Sequence, residues 1–202
     1  MSAAEGHGPT VVPPLAGPWP DGTAATRHEL AAYLAEVADG SLDGLATGCP
    51  PWTVRDVTVH LAETFRRFGR MLEQGRAGDF TPPFAPDQLD AENLRAVEAF
   101  TGDAAGALES AATGFLDRVA DLDEPIPHQI GTVPAGLQVL FGLMDLAIHH
   151  DDVLVPAGRR YRPGAGTVDA VIPVVERLFG VPSGAADPWG VILVGSGRPP
   201  LR

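Results

Sequence analysis

The chain contains no lysine at all: its fourteen basic residues are all arginine. That absence removes Schiff-base chemistry, which needs a primary amine. Cysteine is nearly absent too. The single thiol, Cys49, excludes an intramolecular disulfide and any multi-cysteine zinc knuckle, and it fits a reducing compartment. No stretch reaches the roughly 18 uninterrupted apolar residues of a membrane span, because Asp145 breaks the best candidate. The first twenty residues lack both the positive start and the apolar centre of a secretion signal, so the expectation is a soluble, cytoplasmic protein without a membrane partner. There is no internal repeat and no phosphate-loop or dinucleotide glycine pattern. Basic charge is scarce relative to acidic: the net charge is -12 and the isoelectric point near 4.7, the opposite of a nucleic-acid footprint.

What is present is helical periodicity across 202 residues, enough chain for one domain with a full core. Residues 1–22 carry five prolines and no period, and read as a flexible arm. Thr26 with Glu29 reads as a capping box for a first helix that Gly40 ends. Thr53 and Asp56 cap a second, whose stripe of Val54, Val57, Leu61, Phe65, Phe68 and Leu72 closes at Gly75. A third runs from Pro86 to Val119, with a break near Gly102, and residues 121–132 are a connection. The fourth starts at Val133. Of its sixteen residues to Ile148 only Gln138 and Asp145 are polar, so other elements should surround it. A fifth follows Gly166, kinked or restarted at Pro173, and Val191–Val194 reads as a strand or extended cover. The implied architecture is all-α, a bundle spanning residues 23–182 with an extra C-terminal helix, followed by an extension over 183–202 that ends in a short extended tail.

The central helix turns abruptly polar as Asp145, His149, His150, Asp151 and Asp152. A run of this kind is often only a solvated helix end, and a lone histidine on an apolar face is commonly a core residue. Asp145 and His149, however, are one turn apart on one face and can hold the same ion. His60 lies beside the apolar stripe of the second helix and supplies a third ligand, a set that suits zinc with an open position, or nickel, iron or manganese. Asp152 is placed to accept the ring N–H of His149 and fix its tautomer, a supporting role in the catalytic apparatus. His150 and Asp151 read as solvent-facing. Arg55, Arg66, Arg67 and Arg70 read as mostly a solvated face, any one of which could hold an acidic substrate. Arg159, Arg160 and Arg162, just beyond the polar run, are better placed for that, and Arg159 and Arg160 are the expected cofactor- or substrate-binding cations. Cys49 reads as a packed residue and Trp52 as a plug at the bundle end.

The run CPPWTVRDVTVHL from Cys49 to Leu61, followed some way on by DLAIHHDD from Asp145 to Asp152, resembles the DinB/YfiT-like superfamily in its mycothiol-dependent maleylpyruvate isomerase-like branch. The resemblance covers about residues 25–180. It implies an antiparallel four-helix bundle holding a divalent metal, often zinc, on His60, His149 and the acid four residues before His149. It places the family's trailing Asp on Asp152. The family's acid is Glu where this chain has Asp145, one methylene shorter, which reaches about 1.5 Å less far. The implied activity is metal-assisted use of mycothiol as a cosubstrate, for isomerisation or thiol transfer on a small molecule, by a monomer or homodimer. A metal-dependent tailoring enzyme that needs no thiol, and a bundle that has lost its metal chemistry, are the other two readings left open.

Overall fold

A computed structural model describes residues 15–180 and 186–198. The protein is mostly helical, with one two-stranded sheet. Its elements in chain order are α1 (Thr23–Val37), α2 (Val54–Arg76), α3 (Leu89–Ala99), α4 (Ala104–Leu116), β1 (Pro125–His128), β2 (Gly131–Pro134), α5 (Ala135–Leu154), α6 (Ala165–Phe179) and α7 (Pro188–Gly195).

The second helix starts as its sequence requires. The Thr53 side chain accepts from the Asp56 amide, and Asp56 Oδ2 accepts from the Thr53 amide at 3.0 Å, a reciprocal capping box. The expected box at Thr26 and Glu29 does not form. The first helix begins three residues earlier at Thr23, Thr26 Oγ1 donates to the Gly22 carbonyl at 2.8 Å, and Glu29 is fully buried, so its carboxylate is spent inside the fold and not on a cap.

The break expected near Gly102 is present and divides the third helix into α3 and α4 at Phe100–Asp103; Gly102 takes a φ of +115° there, which disfavours other residues, and Asp103 recaps the chain by accepting from Gly106 N at 3.0 Å. Two further expectations need correction. The connection 121–132 contains strand β1, paired antiparallel with β2 from Pro125 opposite Pro134 to His128 opposite Gly131. The β-branched run Val191–Val194 is helical. Pro188 at its first turn and Asp187 accepting from Gly190 N at 3.1 Å start α7, and a local cap overrides a weak β preference. Helix α6 runs through Pro173.

Contacts set the helix directions. His60 meets His149 while Phe65 and Phe68 meet Gly142, so α2 and α5 are antiparallel. Glu29 meets His150 and Glu36 meets Arg159, so α1 runs parallel to α5. Arg55 reaches the Phe100 and Gly102 carbonyls near the start of α4, and Arg76 reaches the Arg118 carbonyl past its end, so α2 and α4 are parallel as well. Neighbouring helices therefore do not all alternate in direction, because the long segment carrying α3 returns the chain to the end from which α2 began.

Two apolar cores share α5. Tyr33, Leu61, Phe65, Phe115 and Leu146 fill the space between α1, α2, α4 and α5. Leu140, Leu143, Val171, Val174, Trp189 and Leu193 fill that between α5, α6 and α7. A helix packed on both sides must be apolar nearly all round, which accounts for its composition. Residues ahead of α1 lie against α6: Leu15 is buried in the second core, and the Arg177 guanidinium sits 3.8 Å above the Trp19 ring.

Candidate functional site

The polar end of α5 divides into two sides. On one, His150 and Asp151 are buried, where solvent exposure was expected. His150 Nδ1 lies 3.2 Å from Glu29 Oε1, and its ring stacks on Tyr161 at 3.8 Å. Asp151 accepts from Arg160 Nε at 2.9 Å and from the Tyr161 amide at 2.8 Å. The reason is packing: α1 and the segment before α6 cover this side, so the carboxylates there need partners and have them.

The other side carries His149 and Asp145. His149 Nδ1 lies 2.8 Å from Asp152 Oδ2, and Arg198 Nη2 donates to the same oxygen at 2.7 Å. Burial pushes the Asp152 carboxyl upward, but the hydrogen bonds from His149 and Arg198 outweigh it and hold the group below the usual carboxylate range. An ionised Asp152 takes the Nδ1 proton of His149 as donor. Nε2 is then the ring nitrogen that Asp152 does not engage.

His60 faces this histidine from α2, with ring centroids 5.1 Å apart in an edge-on arrangement, and Trp52 packs on it at 5.0 Å. Its Nδ1 is buried with no hydrogen-bond partner among the described residues. Burial, then the neighbouring His149 and Arg67, hold His60 well below the ordinary histidine range, so it is a neutral ring with a lone pair to offer. Asp145, deep in the protein but open to a cavity, is pushed up by burial above the usual carboxylate range.

Of these residues His60 and Asp145 line a cavity of about 480 Å³, together with Phe68, Met71, Phe141 and Met144. A smaller chamber of about 180 Å³ lies on the other side of Asp145 and His149, walled by Ile148, Ile192 and Arg198. Among the described residues, the ligand atoms that come within 4.8 Å of one another belong to Cys49, His149 and Asp152, not to the expected trio of His60, Asp145 and His149. Burial pushes the Cys49 thiol up, which opposes its use as a thiolate.

Arg159 and Arg160 do not line either cavity. Arg159 forms a bidentate pair with Glu36 at 2.8 and 2.9 Å, and Arg160 is spent on Asp151. Arg67, expected on a solvated face, is buried instead and points at Asn93, with Nη2 to Oδ1 at 2.7 Å. The residues that sequence reasoning missed are Arg198, His128, Asn93 and Gln129. Gln138 carried a signal, as one of only two polar residues in an apolar helix; Arg198 carried none, since no periodicity reaches it.

A sequence model described as the mycothiol maleylpyruvate isomerase N-terminal domain matches residues 23–154. Two solved structures are similar in fold. One is a histidine-to-alanine variant of the mycothiol-dependent maleylpyruvate isomerase, 16% identical with a TM-score of 0.57, the match covering 74% of this chain and 66% of that one. The other is the mycothiol-dependent maleylpyruvate isomerase itself, 14% identical with a TM-score of 0.56 and the same coverage. This chain thus spans 66% of the length of those two proteins. No curated protein matches the chain.

Proposed function

Because the chain belongs to the mycothiol maleylpyruvate isomerase N-terminal domain family, we propose that it is a metal-dependent enzyme using a low-molecular-weight thiol, mycothiol, on a small molecule held in the cavity beside His60. We read α1, α2, α4 and α5 as the four-helix bundle of that family, with the segment after residue 182 as an extension that lends Arg198 to the site.

The observation that carries the reading is that His60 and His149, their ring centroids 5.1 Å apart, flank Asp145, which faces the larger cavity with His60 and the smaller chamber with His149. His60 Nδ1 is orphaned, Asp152 engages His149 at Nδ1 and not at Nε2, and Asp145 bears a carboxyl group that burial leaves short of stabilisation. A divalent cation relieves all three, since it supplies charge to Asp145 and an acceptor for two neutral imidazole lone pairs. The closer trio of Cys49, His149 and Asp152 suits a cation poorly. Both Asp152 oxygens already accept from Arg198, at 3.2 and 2.7 Å, and that guanidinium would repel an ion there. His60, Asp145 and His149 are therefore assigned as ligands, and Asp152 as the group that orients His149.

A cation so held would supply Lewis acidity that keeps a thiol in its thiolate form at neutral pH. The chain's own residues supply the rest. Asp152 holds the His149 ring in one tautomer, and Phe68, Met71, Phe141 and Met144 keep the cavity apolar, so a thiolate there is desolvated and more reactive. Addition of its sulfur to a conjugated double bond forms a C–S bond and moves the π electrons toward the substrate's carbonyl. After rotation about the new single bond, the C–S bond breaks, the thiolate departs, and the double bond re-forms in the other geometry.

Two measurements test the reading. Protein produced with zinc, nickel and manganese available is expected to retain about one equivalent of metal, lost in His60→Ala. Titrating mycothiol into a cobalt-substituted sample is expected to produce a sulfur-to-cobalt charge-transfer band. No retained metal, or an unchanged spectrum at saturating thiol, overturns it.

A further inference from the structure

The cavity has a second polar end that the thiol chemistry does not use. Arg67 lies seven residues beyond His60 on α2, and Gln138 lies seven residues before Asp145 on α5. Seven residues are about two helical turns, or roughly 10 Å along the axis, and return to nearly the same face. Since α2 and α5 run antiparallel, Arg67 and Gln138 fall at the same end of the cavity, opposite His60 and Asp145. Both line it, as do Asn93, His128 and Gln129.

Arg67 is more than nine-tenths buried, and Glu63, Glu92 and Asp145 act on its charge only from a distance. Glu63, the nearest acid on its own helix, is engaged by Arg70 at 2.6 Å. Among the described residues the partners of Arg67 are the neutral Asn93 and the face of Phe84, whose centroid is 5.2 Å away. Arg160 and Arg198, by contrast, each meet a buried carboxylate directly. A buried cation with no carboxylate bonded to it is costly, and a guanidinium holding one amide still has donors in a fork that matches a carboxylate.

The same end holds other unspent polar atoms. Gln138 Nε2 and Oε1 and Gln129 Oε1 are buried with no hydrogen-bond partner among the described residues. His128 accepts from the Ile130 amide at Nδ1, 3.3 Å away, and burial, then Arg67, lower its pKa to about 4, so the neutral ring carries its proton on Nε2. Buried polar groups are rarely left unmatched, and so many on one wall mark the place of a ligand's own polar group.

We propose that Arg67 and Asn93, backed by Gln138, bind the carboxylate of an organic acid whose apolar body lies along Phe68, Met71, Phe141 and Met144. The acid's other end then reaches the His60 and Asp145 wall. This rests on the proposed function for what happens at that wall, but not for the binding of the acid. It assigns the specificity-determining cation to α2 instead of to Arg159 and Arg160.

The probes are trans-cinnamate and its uncharged amide, titrated calorimetrically into the full chain stripped of metal with EDTA. Without a cation at His60, the carboxylate has only Arg67 to distinguish it, so the outcome is independent of whether the metal reading holds. The parent is expected to bind cinnamate at least about 10-fold more tightly than the amide, the size of a charge-assisted contact. Arg67→Met is expected to bring the two within about twofold of each other, and Arg67→Lys to retain part of the preference as a point charge. Should Arg67→Met fail to fold, the parent still decides: the Arg67 Nε resonance is expected to move with cinnamate and to stay still with the amide. Equal affinities in the parent, no binding of cinnamate, a preference that survives in folded Arg67→Met, or a resonance that ignores the acid overturns the proposal.

Discussion

The two sides of the end of α5 differ in how their carboxylates are paired. Toward α1 and α6 the carboxylates are paired: Glu29 meets His150 Nδ1 and accepts from Thr167 Oγ1 at 3.2 Å, and Asp151 accepts from Arg160, while His150 Nε2 is buried without a hydrogen-bond partner among the described residues. Toward α2, His60 Nδ1, Asp145 and Gln138 keep atoms in reserve. Matched polar groups in a core hold a structure together, whereas unmatched ones cost stability and persist where a ligand completes them. Sequence alone could not separate the sides, because both are read from the same eight residues.

The largest expected effect breaks the matched side. Glu29→Ala strands His150 and Thr167 and opens a cavity, and is expected to cost about 3 kcal/mol or more, read from the guanidinium chloride midpoint. Asp145→Asn in metal-free protein is expected to cost nothing and to raise stability at neutral pH. The sign follows from its carboxyl pKa, raised by burial. Between the unfolded value near 4 and the higher folded one, the native state binds more protons, so stability falls as pH rises, and Asn removes that fall. If Asp145→Asn destabilises as much as Glu29→Ala, the contrast between the sides is wrong.

Next in size is the pH response of the cavity's far end. His128 titrates at about 4 in the fold against 6.5 ordinarily, because of burial first and Arg67 second. The unfolded chain binds the extra proton in that window, so the contribution of His128 is complete above pH 6.5 and lost as pH falls toward 4, an amount of about 3 kcal/mol. His128→Gln is expected to flatten the stability profile between pH 7 and 4 by that much relative to the parent. Identical profiles would mean that the ring is solvated in the native state.

A third effect probes packing on the first core. A methyl group built on Gly142 would stand 2.8 Å from Phe65 Cε1 and 2.9 Å from Cζ, so the seating of the Phe65 ring from α2 against α5 depends on this glycine. Gly142→Ala is expected to cost about 1–3 kcal/mol by overpacking. Gly114, inside α4, has no atom within 4 Å of such a methyl, and Gly114→Ala is expected to gain about 0.5–1 kcal/mol from helix propensity alone. Thermal melts of the pair should move in opposite directions.

How much of this was legible follows from which signals are local. The second helix and α5 were readable because a capping box and long apolar periods are written within each segment. The hairpin was not, since four-residue strands bearing Pro125, Pro127 and Pro134 read as loop. The run Val191–Val194 misled because residue preference is weaker than the Asp187 cap and the apolar groove that α7 fills. In the site, the spacing of Asp145, His149 and Asp152 on one helix was local and readable. The partners of Asp152 and His150, Arg198 and Glu29, lie 46 and 121 residues away, and only the fold discloses them.

The smallest expected effect tests the reserve of polar atoms most directly. Gln138 is wholly buried, sits within an apolar helix, and makes no side-chain hydrogen bond to any described residue at either amide atom. Leaving such a group unpaired costs the fold its desolvation energy, and replacing it by an apolar side chain of similar size returns part of that cost. Gln138→Leu is accordingly expected to stabilise the ligand-free protein by about 1 kcal/mol while weakening cinnamate and its amide alike, because it removes a hydrogen bond and not a charge. A calorimetric melt beside the two titrations checks both halves. Stability lost together with affinity would mean that Gln138 holds the fold together like the Glu29 side, and the cavity's far end would then be structural.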